Sequence, residues 1–309
     1  MLSSFLFAAA SLSFFADDQP REIELWPNGV PNAPEKIGAE SVKDSGSPSA
    51  PDRHIRNVHK PTLTIYKPTG KSAEAAIIIC PGGGYHILAL DKEGHDVAKW
   101  AASVGFVGVV LKYRLPRPDG HVYPHDAPLS DAQQAIRWVR TNADSLGVKP
   151  NRIGIMGFSA GGHLASTAAT HFDNGPSSGV STRPDFAVLV YPVTTFDPKV
   201  GHVGSAESLL GKNPSEELLQ RYSNERHVTK ETPPTFLVHT SDDPVKVENS
   251  LAYYAALRRS NVPAEMHIFA KGGHGYGLRT DWQGEKNPPV SAWPQLMERW
   301  LKRVVLKVE

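Results

Sequence analysis

IGIMGFSAGGHLAS, residues 153–166, is the stretch whose reading decides the fold. An apolar run (Ile153, Ile155, Met156) leads into Gly157-Phe158-Ser159-Ala160-Gly161, and small residues with a helical look follow. This is the G-x-S-x-G arrangement of strand, sharp turn and helix. The glycines follow from the chemistry. A serine held at a tight, strained turn needs neighbours without Cβ atoms, because other backbone approaches closely there. The helix after the turn points free N–H groups at the place where negative charge develops. A bare G-x-S-x-G also suits an ordinary turn packing a helix on a strand, so the flanking sequence has to decide.

Working outward, strands alternate with helices. Thr62–Tyr66 reads as an alternating strand closed by Pro68. Ala75–Cys80 is an unbroken apolar run, as expected of a parallel strand buried on both faces. Val97, Trp100, Ala101 and Val104 keep the i, i+3, i+4, i+7 spacing of a helix ended by Gly105. Phe106–Tyr113 is a strand, and Ser130–Gln133 resembles a capping box opening a helix with a stripe of Ala132, Ala135, Ile136 and Val139. After the serine turn, Phe186–Val193, Thr235–His239 and Ala264–Phe269 read as strands. Leu251, Tyr254, Ala255 and Arg258 share a helical face, and Trp293, Leu296, Trp300, Leu301 and Val304 mark a closing helix. The fold class is therefore α/β, a doubly wound and mostly parallel sheet with flanking helices. Residues 194–230 are irregular, with a short helix over Ser215–Tyr222, and are expected to form a small cap.

Composition narrows the function. The chain has 309 residues, 40% apolar and 21% charged, with a net charge of +1 and no basic stripe, which argues against nucleic acid as partner. The single cysteine, Cys80, lies in an apolar run and reads as a buried small hydrophobe. Residues 1–16, MLSSFLFAAASLSFFA, are apolar, uncharged and too short to span a bilayer comfortably. They read as a signal peptide, which implies a secreted or periplasmic protein with no stable membrane insertion after cleavage. Residues 17–60 form an N-terminal extension that wraps the domain, with a flexible piece near Ser45–Pro51, and residues 61–309 form the catalytic domain.

A serine hydroxyl needs a base, normally a histidine, and that histidine needs an orienting group. In such sheets reactive groups gather beyond the carboxyl ends of strands. Asp242 and Asp243 follow the strand ending at His239, and His274 lies in the glycine-rich Gly272–Gly277 segment after the last strand. The order Ser159, Asp, His274 is that of the α/β-hydrolases. Pro81-Gly82-Gly83-Gly84-Tyr85 follows a central strand and suits an oxyanion hole, where bare backbone N–H groups meet the tetrahedral intermediate; Ala160, after the serine, is the expected partner donor. Tyr85 is expected to touch substrate. Among the 13 histidines, His163 lies four residues past the serine and reads as packing, His86 can line the pocket, and His239 reads as satisfied at a strand end. His121 and His125, near Asp126, have a spacing that raises zinc, but the Pro-rich loop offers no third ligand and no metal is expected.

With these pieces placed, residues from about 60 to 309 resemble an α/β-hydrolase of the esterase/lipase type, through PGGGY (81–85), GFSAGG (157–162), HTSDDPV (239–245) and GGHGYG (272–277). In detail, with LWPNGVPNAP, KYRLPRPDG and VENSLAYY, the chain is similar to secreted bacterial esterases labelled acetyl xylan esterase, feruloyl-esterase-like or "xylanase B". The resemblance implies Ser159 as nucleophile, His274 as base, Asp243 as acid, and Gly83, Gly84 and Ala160 as oxyanion donors. It departs from the group at Lys246-Val247, where relatives often show Val-Pro, and at Pro81, where related esterases carry His.

The expected reaction is two-step acyl transfer on a small-molecule or oligosaccharide ester, with acetyl groups of xylan or its oligosaccharides the first substrate and simple short-chain esters the alternative. No metal or organic cofactor is needed. A peptidase reading lacks a propeller-like domain, and a glycosidase reading lacks two carboxylates astride a sugar bond. A non-catalytic scaffold would lack a triad member or the oxyanion glycines.

Overall fold

The computed structural model describes residues 19–34, 38–116, 123–173, 179–282 and 284–308. The chain enters its central sheet well before Thr62. Arg21–Glu24 (β1) is an edge strand of that sheet. Ser41–Asp44 (β2) and Arg53–Arg56 (β3) form an antiparallel hairpin beside it. The Ser45–Pro51 segment, expected to be flexible, is the turn of this hairpin. Asp44 closes it by accepting the amides of Gly46 and Asp52 at 2.9 and 3.0 Å. Thr62–Tyr66 (β4) pairs antiparallel with β1.

The expected strands then appear in order. They are Ala76–Cys80 (β5), the short Leu88–Ala89 (β6, on β3), Val107–Lys112 (β7), Ile153–Phe158 (β8), Phe186–Val190 (β9), Thr235–Thr240 (β10) and Ala264–Phe269 (β11). The eight-stranded sheet has the order β1-β4-β7-β5-β8-β9-β10-β11. From β7 to β11 every pairing is parallel, and β4 and β1 extend that edge antiparallel. Each residue of β5, β8, β9 and β10 is buried, which is why stretches such as β5 and β9 are unbroken apolar runs. Each buried Ile, Leu, Val or Phe there contributes roughly 1.5–3 kcal/mol.

The flanking helices are Asp96–Ser103 (α1), Ala127–Thr141 (α2), Ala143–Leu146 (α3), Ala160–Thr170 (α4), Val203–Leu210 (α5), Glu216–Arg221 (α6), Glu248–Arg259 (α7) and Trp293–Trp300 (α8). Two sequence expectations are corrected here. α2 starts at Ala127 with Pro128 in its first turn, not at a capping box over Ser130–Gln133. Asp131 is wholly buried instead. It accepts hydrogen bonds from Arg114 Nη2 (2.7 Å), Arg114 Nε and N, and Trp26 Nε1 (2.8 Å), tying helix, sheet and N-terminal segment together. On α7 the inward face is Asn249, Ser250, Tyr253, Ala256 and Leu257, while Leu251 faces solvent. Polar residues occupy that face because they serve hydrogen bonds, so an apolar stripe picks the wrong side. Asn249 Oδ1 accepts the amides of Thr194 and Thr195, and Ser250 Oγ meets His239 Nδ1.

Between β9 and β10, α5 and α6 form the cap, with α6 at the place expected from sequence and α5 in addition. Asn224 fastens the cap to α4 through Nδ2 bonds to the His163 carbonyl, Ser166 Oγ and Thr167 Oγ1. No helix among the described residues is long and apolar enough to cross a membrane.

Candidate active site

β8 ends at Phe158, and Ser159 turns the chain with φ 52° and ψ −119° before α4 begins at Ala160. That conformation is costly for a residue with a side chain. It is held by bonds from the Ser159 amide to the Val190 carbonyl and from the His163 and Val193 amides to the Ser159 carbonyl. The glycines do what the motif requires. A side chain on Gly161 would run into the Cys80 and Pro81 carbonyls, so α4 lies directly against the loop after β5.

Ser159 Oγ is 2.9 Å from His274 Nε2, and His274 Nδ1 is 2.8 Å from Asp243 Oδ2. Three loops from three strand ends (β8, β10, β11) thus meet in one relay, in the geometry that serine nucleophiles need. The Asp243 side chain is fully buried. Burial pulls its carboxyl upward, but His239, His274 and their bonds outweigh it and hold the group below its ordinary value. Its other oxygen accepts the Val245 amide at 2.7 Å. Asp242, the rival acid, faces the other way. Its oxygens accept the Gly273 and Gly272 amides at 2.8 and 3.3 Å, and so it braces the loop that carries His274.

The glycine run lies beside the serine, since a Cβ on Gly82 would come within 3.0 Å of Ser159 Cβ. Gly83 (φ 128°) and Gly84 (φ 64°) adopt backbone that favours glycine, and both are partly exposed. Tyr85 does not fit the substrate-binding role expected of it. Its ring is buried, and its hydroxyl donates to His163 Nδ1 at 2.8 Å inside the protein. Pro81 offers its carbonyl to the Tyr113 hydroxyl at 2.7 Å.

The other histidines are placed as follows. His163 is buried, donates Nε2–H to the Tyr222 carbonyl at 2.8 Å, and stacks on Phe196 with ring centroids 4.3 Å apart; burial lowers it to about 4. It is a packing residue. His86 is exposed and 2.6 Å from Arg56 Nη1. His125 Nδ1 meets the Tyr222 hydroxyl at 2.7 Å, and His121 lies outside the described residues. His239 is satisfied at its strand end by Ser250 and the Val245 carbonyl, and in addition its Nε2 lies 3.4 Å from Asp243 Oδ2.

Three groups escaped the sequence reading. Glu93, in a π-helical turn over Asp91–His95, and Tyr191, at the end of β9, are buried next to the relay. Glu93 lies in the polar run Asp91-Lys92-Glu93-Gly94-His95-Asp96, which reads as surface and gives no sign of its burial. The third is His202, which caps α5 and accepts the Ser205 amide on Nδ1 at 3.1 Å. That bond fixes the ring proton of the neutral imidazole on Nε2. Burial, and then the nearby His274, lower the pKa of His202 and favour that neutral form. α5 reaches the oxyanion loop, with Ser205 Oγ 4.0 Å from where a Gly84 Cβ would stand.

Known proteins resemble this chain in sequence and fold. The BD-FAE family profile matches residues 63–257. An acetylxylan esterase of Xylanibacter ruminicola is 36% identical over 227 residues, covering 72% of this chain and 45% of that protein. An endo-1,4-beta-xylanase B of Butyrivibrio fibrisolvens is 35% identical over 235 residues, covering 72% of this chain and 36% of that protein. The matched region therefore spans less than half the length of these curated relatives. The solved structure of an acetyl ester-xyloside bifunctional hydrolase from Caldicellulosiruptor lactoaceticus is 40% identical, covers 94% of this chain and 97% of its own, and superimposes with a TM-score of 0.77. A profile match that takes in the serine, the acid and the glycine loop, on a topology shared almost end to end with an ester hydrolase, places this chain in the BD-FAE family with an α/β-hydrolase fold.

Proposed function

We propose that the protein is a serine esterase that removes acetyl groups from xylan or xylo-oligosaccharides. The observation that carries the reaction class is the unbroken Ser159–His274–Asp243 relay at the carboxyl edge of the sheet. Ser159 Oγ attacks the ester carbonyl while His274 takes its proton, and the carbonyl oxygen becomes an oxyanion. The amides of Gly83, Gly84 and Ala160 are assigned to that oxygen, because the Gly82 amide is already given to Glu93 at 2.8 Å. His274 then protonates the leaving alcohol. Water attacks the acyl-enzyme with the same histidine as base, releasing acetate and restoring Ser159. Asp243 keeps Nδ1 of His274 protonated and stabilises the imidazolium.

The choice of acetylated xylan rests on the relatives of that description and on a cap beside the relay. A mostly apolar cavity of about 170 Å³ lies within it, lined by Phe196, Asp197, His202, Val203, Glu207 and Leu219 among others. Cleavage of a glycosidic bond is not part of the proposal. It needs two carboxylates across the sugar, whereas Asp243 is committed to His274 and Asp242 to two backbone amides. Export also belongs to the proposal, supported by the apolar residues 1–16 ending in Ala16 before Asp17; the secreted protein should begin at Asp17 by mass. The acyl-enzyme is tested by a burst of p-nitrophenol from p-nitrophenyl acetate, stoichiometric with enzyme and absent in Ser159→Ala. Turnover by Ser159→Ala at the wild-type rate would refute it.

A further inference from the structure

We propose that Glu93 is a positioning residue that fastens the oxyanion loop to the histidine loop, so that both face Ser159 in one fixed geometry. Glu93 is buried, with 4% of its surface exposed. Its Oε2 accepts the Gly82 amide at 2.8 Å, at the start of the glycine run. Its Oε1 accepts the Tyr191 hydroxyl at 3.0 Å. The Tyr191 hydroxyl accepts the Gly277 amide at 3.1 Å, three residues past His274, and the Tyr191 ring packs 4.8 Å from the His274 ring, centroid to centroid. One carboxylate therefore joins the loops that carry the oxyanion donors and the base.

The turn holding Glu93 is itself fixed in place and also meets the histidine loop directly. Its first residue, Asp91, is clamped by Arg53 through Nη2 at 2.6 Å and Nε at 2.9 Å. The Lys92 carbonyl lies 3.1 Å from where a Gly277 Cβ would stand, so the histidine loop rests on this turn. π-Helical turns of this kind recur at functional sites, where they pay a poorer hydrogen-bond ladder for a particular side-chain direction.

A carboxylate buried only to fill space would be a poor choice. Removing it from water costs several kcal/mol unless its oxygens are satisfied. The hydrogen bonds to its side chain come from a backbone amide of the oxyanion loop and from the Tyr191 phenol, which in turn accepts the Gly277 amide of the histidine loop. Tyr191 suits its part. Burial, with the Glu93 charge beside it, keeps the phenol far above its ordinary value, so it remains a donor to Glu93. Its backbone sits at φ 36°, a strained conformation for a non-glycine residue that the network helps to hold. Misplacing catalytic groups by about an ångström can cost on the order of 100-fold in rate, so a lock on two loops has consequences for the reaction.

The inference rests on the serine-esterase reading. Wild-type protein inert towards p-nitrophenyl acetate would fail that reading, so each comparison below is made against an active wild type. Glu93→Gln puts an amide donor where either Gly82 or Tyr191 requires an acceptor. It should lower kcat about 10- to 100-fold with KM within about twofold. It should weaken inhibition by phenylboronic acid, which forms a tetrahedral adduct on the serine, by a similar factor. Tyr191→Phe cuts the same network at its other end and should lower kcat about 5- to 20-fold with KM again little changed. The double variant should be no slower than the slower single one, because both break one connection. A folded Glu93→Gln with kcat and phenylboronic acid inhibition within twofold of wild type would overturn the proposal, and so would fully multiplicative losses in the double variant. If Glu93→Gln fails to fold, Tyr191→Phe decides by the same two readouts.

Discussion

Asp242 and Asp243 are adjacent in sequence and do different work. Asp243 Oδ2 stands 2.8 Å from His274 Nδ1, whereas Asp242 turns its oxygens to the amides of Gly272 and Gly273. One acid orients the histidine and the other shapes the loop that delivers it. Asp243→Asn should lower kcat by about 10³- to 10⁴-fold, since the amide favours the wrong imidazole tautomer. Asp242→Asn keeps an acceptor for Gly273 and should cost no more than about tenfold. Steady-state kinetics on p-nitrophenyl acetate checks both, and equal losses would remove the distinction.

His202 separates the two substrate readings. Its proton is fixed on Nε2 by the Ser205 amide, so the cap carries a ring donor on a residue near enough to His274 to feel its charge. His202→Ser keeps a capping side chain for α5 but removes that donor. Deacetylation of acetylated xylo-oligosaccharides should fall about tenfold in kcat/KM, while p-nitrophenyl acetate changes less than threefold and Tm stays put. A parallel fall on both substrates would make His202 a structural cap and nothing more.

The buried pair of Arg114 and Asp131 carries stability, not chemistry. Both side chains are at most 1% exposed, and Arg114 also donates to the Pro31 carbonyl at 2.7 Å. Asp131→Ala leaves the guanidinium buried without its acid and should destabilise the fold by about 3–5 kcal/mol in denaturant unfolding. A loss below about 1 kcal/mol would contradict this.

Acid should weaken the fold through His163. Its pKa falls from an ordinary 6.5 to about 4 on burial, so the unfolded chain takes up a proton between those values and the folded one does not. Stability is complete above about pH 6.5 and declines as pH falls towards 4, by up to about 3 kcal/mol from this group. His171, also lowered to about 4, acts in the same direction. Unfolding measured at pH 7 and pH 4.5 should show the decline, and a His163→Gln variant should show a shallower one. Identical slopes would exclude His163 as a source.

The legible parts of this molecule are those set by local rules. Fully buried parallel strands announce themselves as apolar runs, and the strained serine turn demands glycines, so β5, β8, β10 and Ser159 could be read directly. His274 was legible because a histidine among glycines follows the last strand. The obscured parts depend on partners distant in sequence. Asn249 and Ser250 look like surface residues until the Thr194 loop and His239 are brought against them. Ser130–Gln133 imitates a capping box, and Asp131 within it shows no sign of burial until Arg114 meets it across the interior. Tyr85, at the end of a glycine run, was expected to touch substrate, yet His163, 78 residues away, takes its hydroxyl. β1 escaped because an edge strand with one inward side chain, Ile23, has almost no hydrophobic pattern.

The central claim is that Ser159 removes acetyl groups from a sugar. Acetate release from acetylated xylo-oligosaccharides, run beside p-nitrophenyl acetate with Ser159→Ala as control, tests it most directly. The account predicts release from the sugar at a kcat/KM at least equal to that for the aryl ester, and a fall of several orders of magnitude in Ser159→Ala. Hydrolysis of the aryl ester alone, with the acetylated sugar untouched, would contradict it.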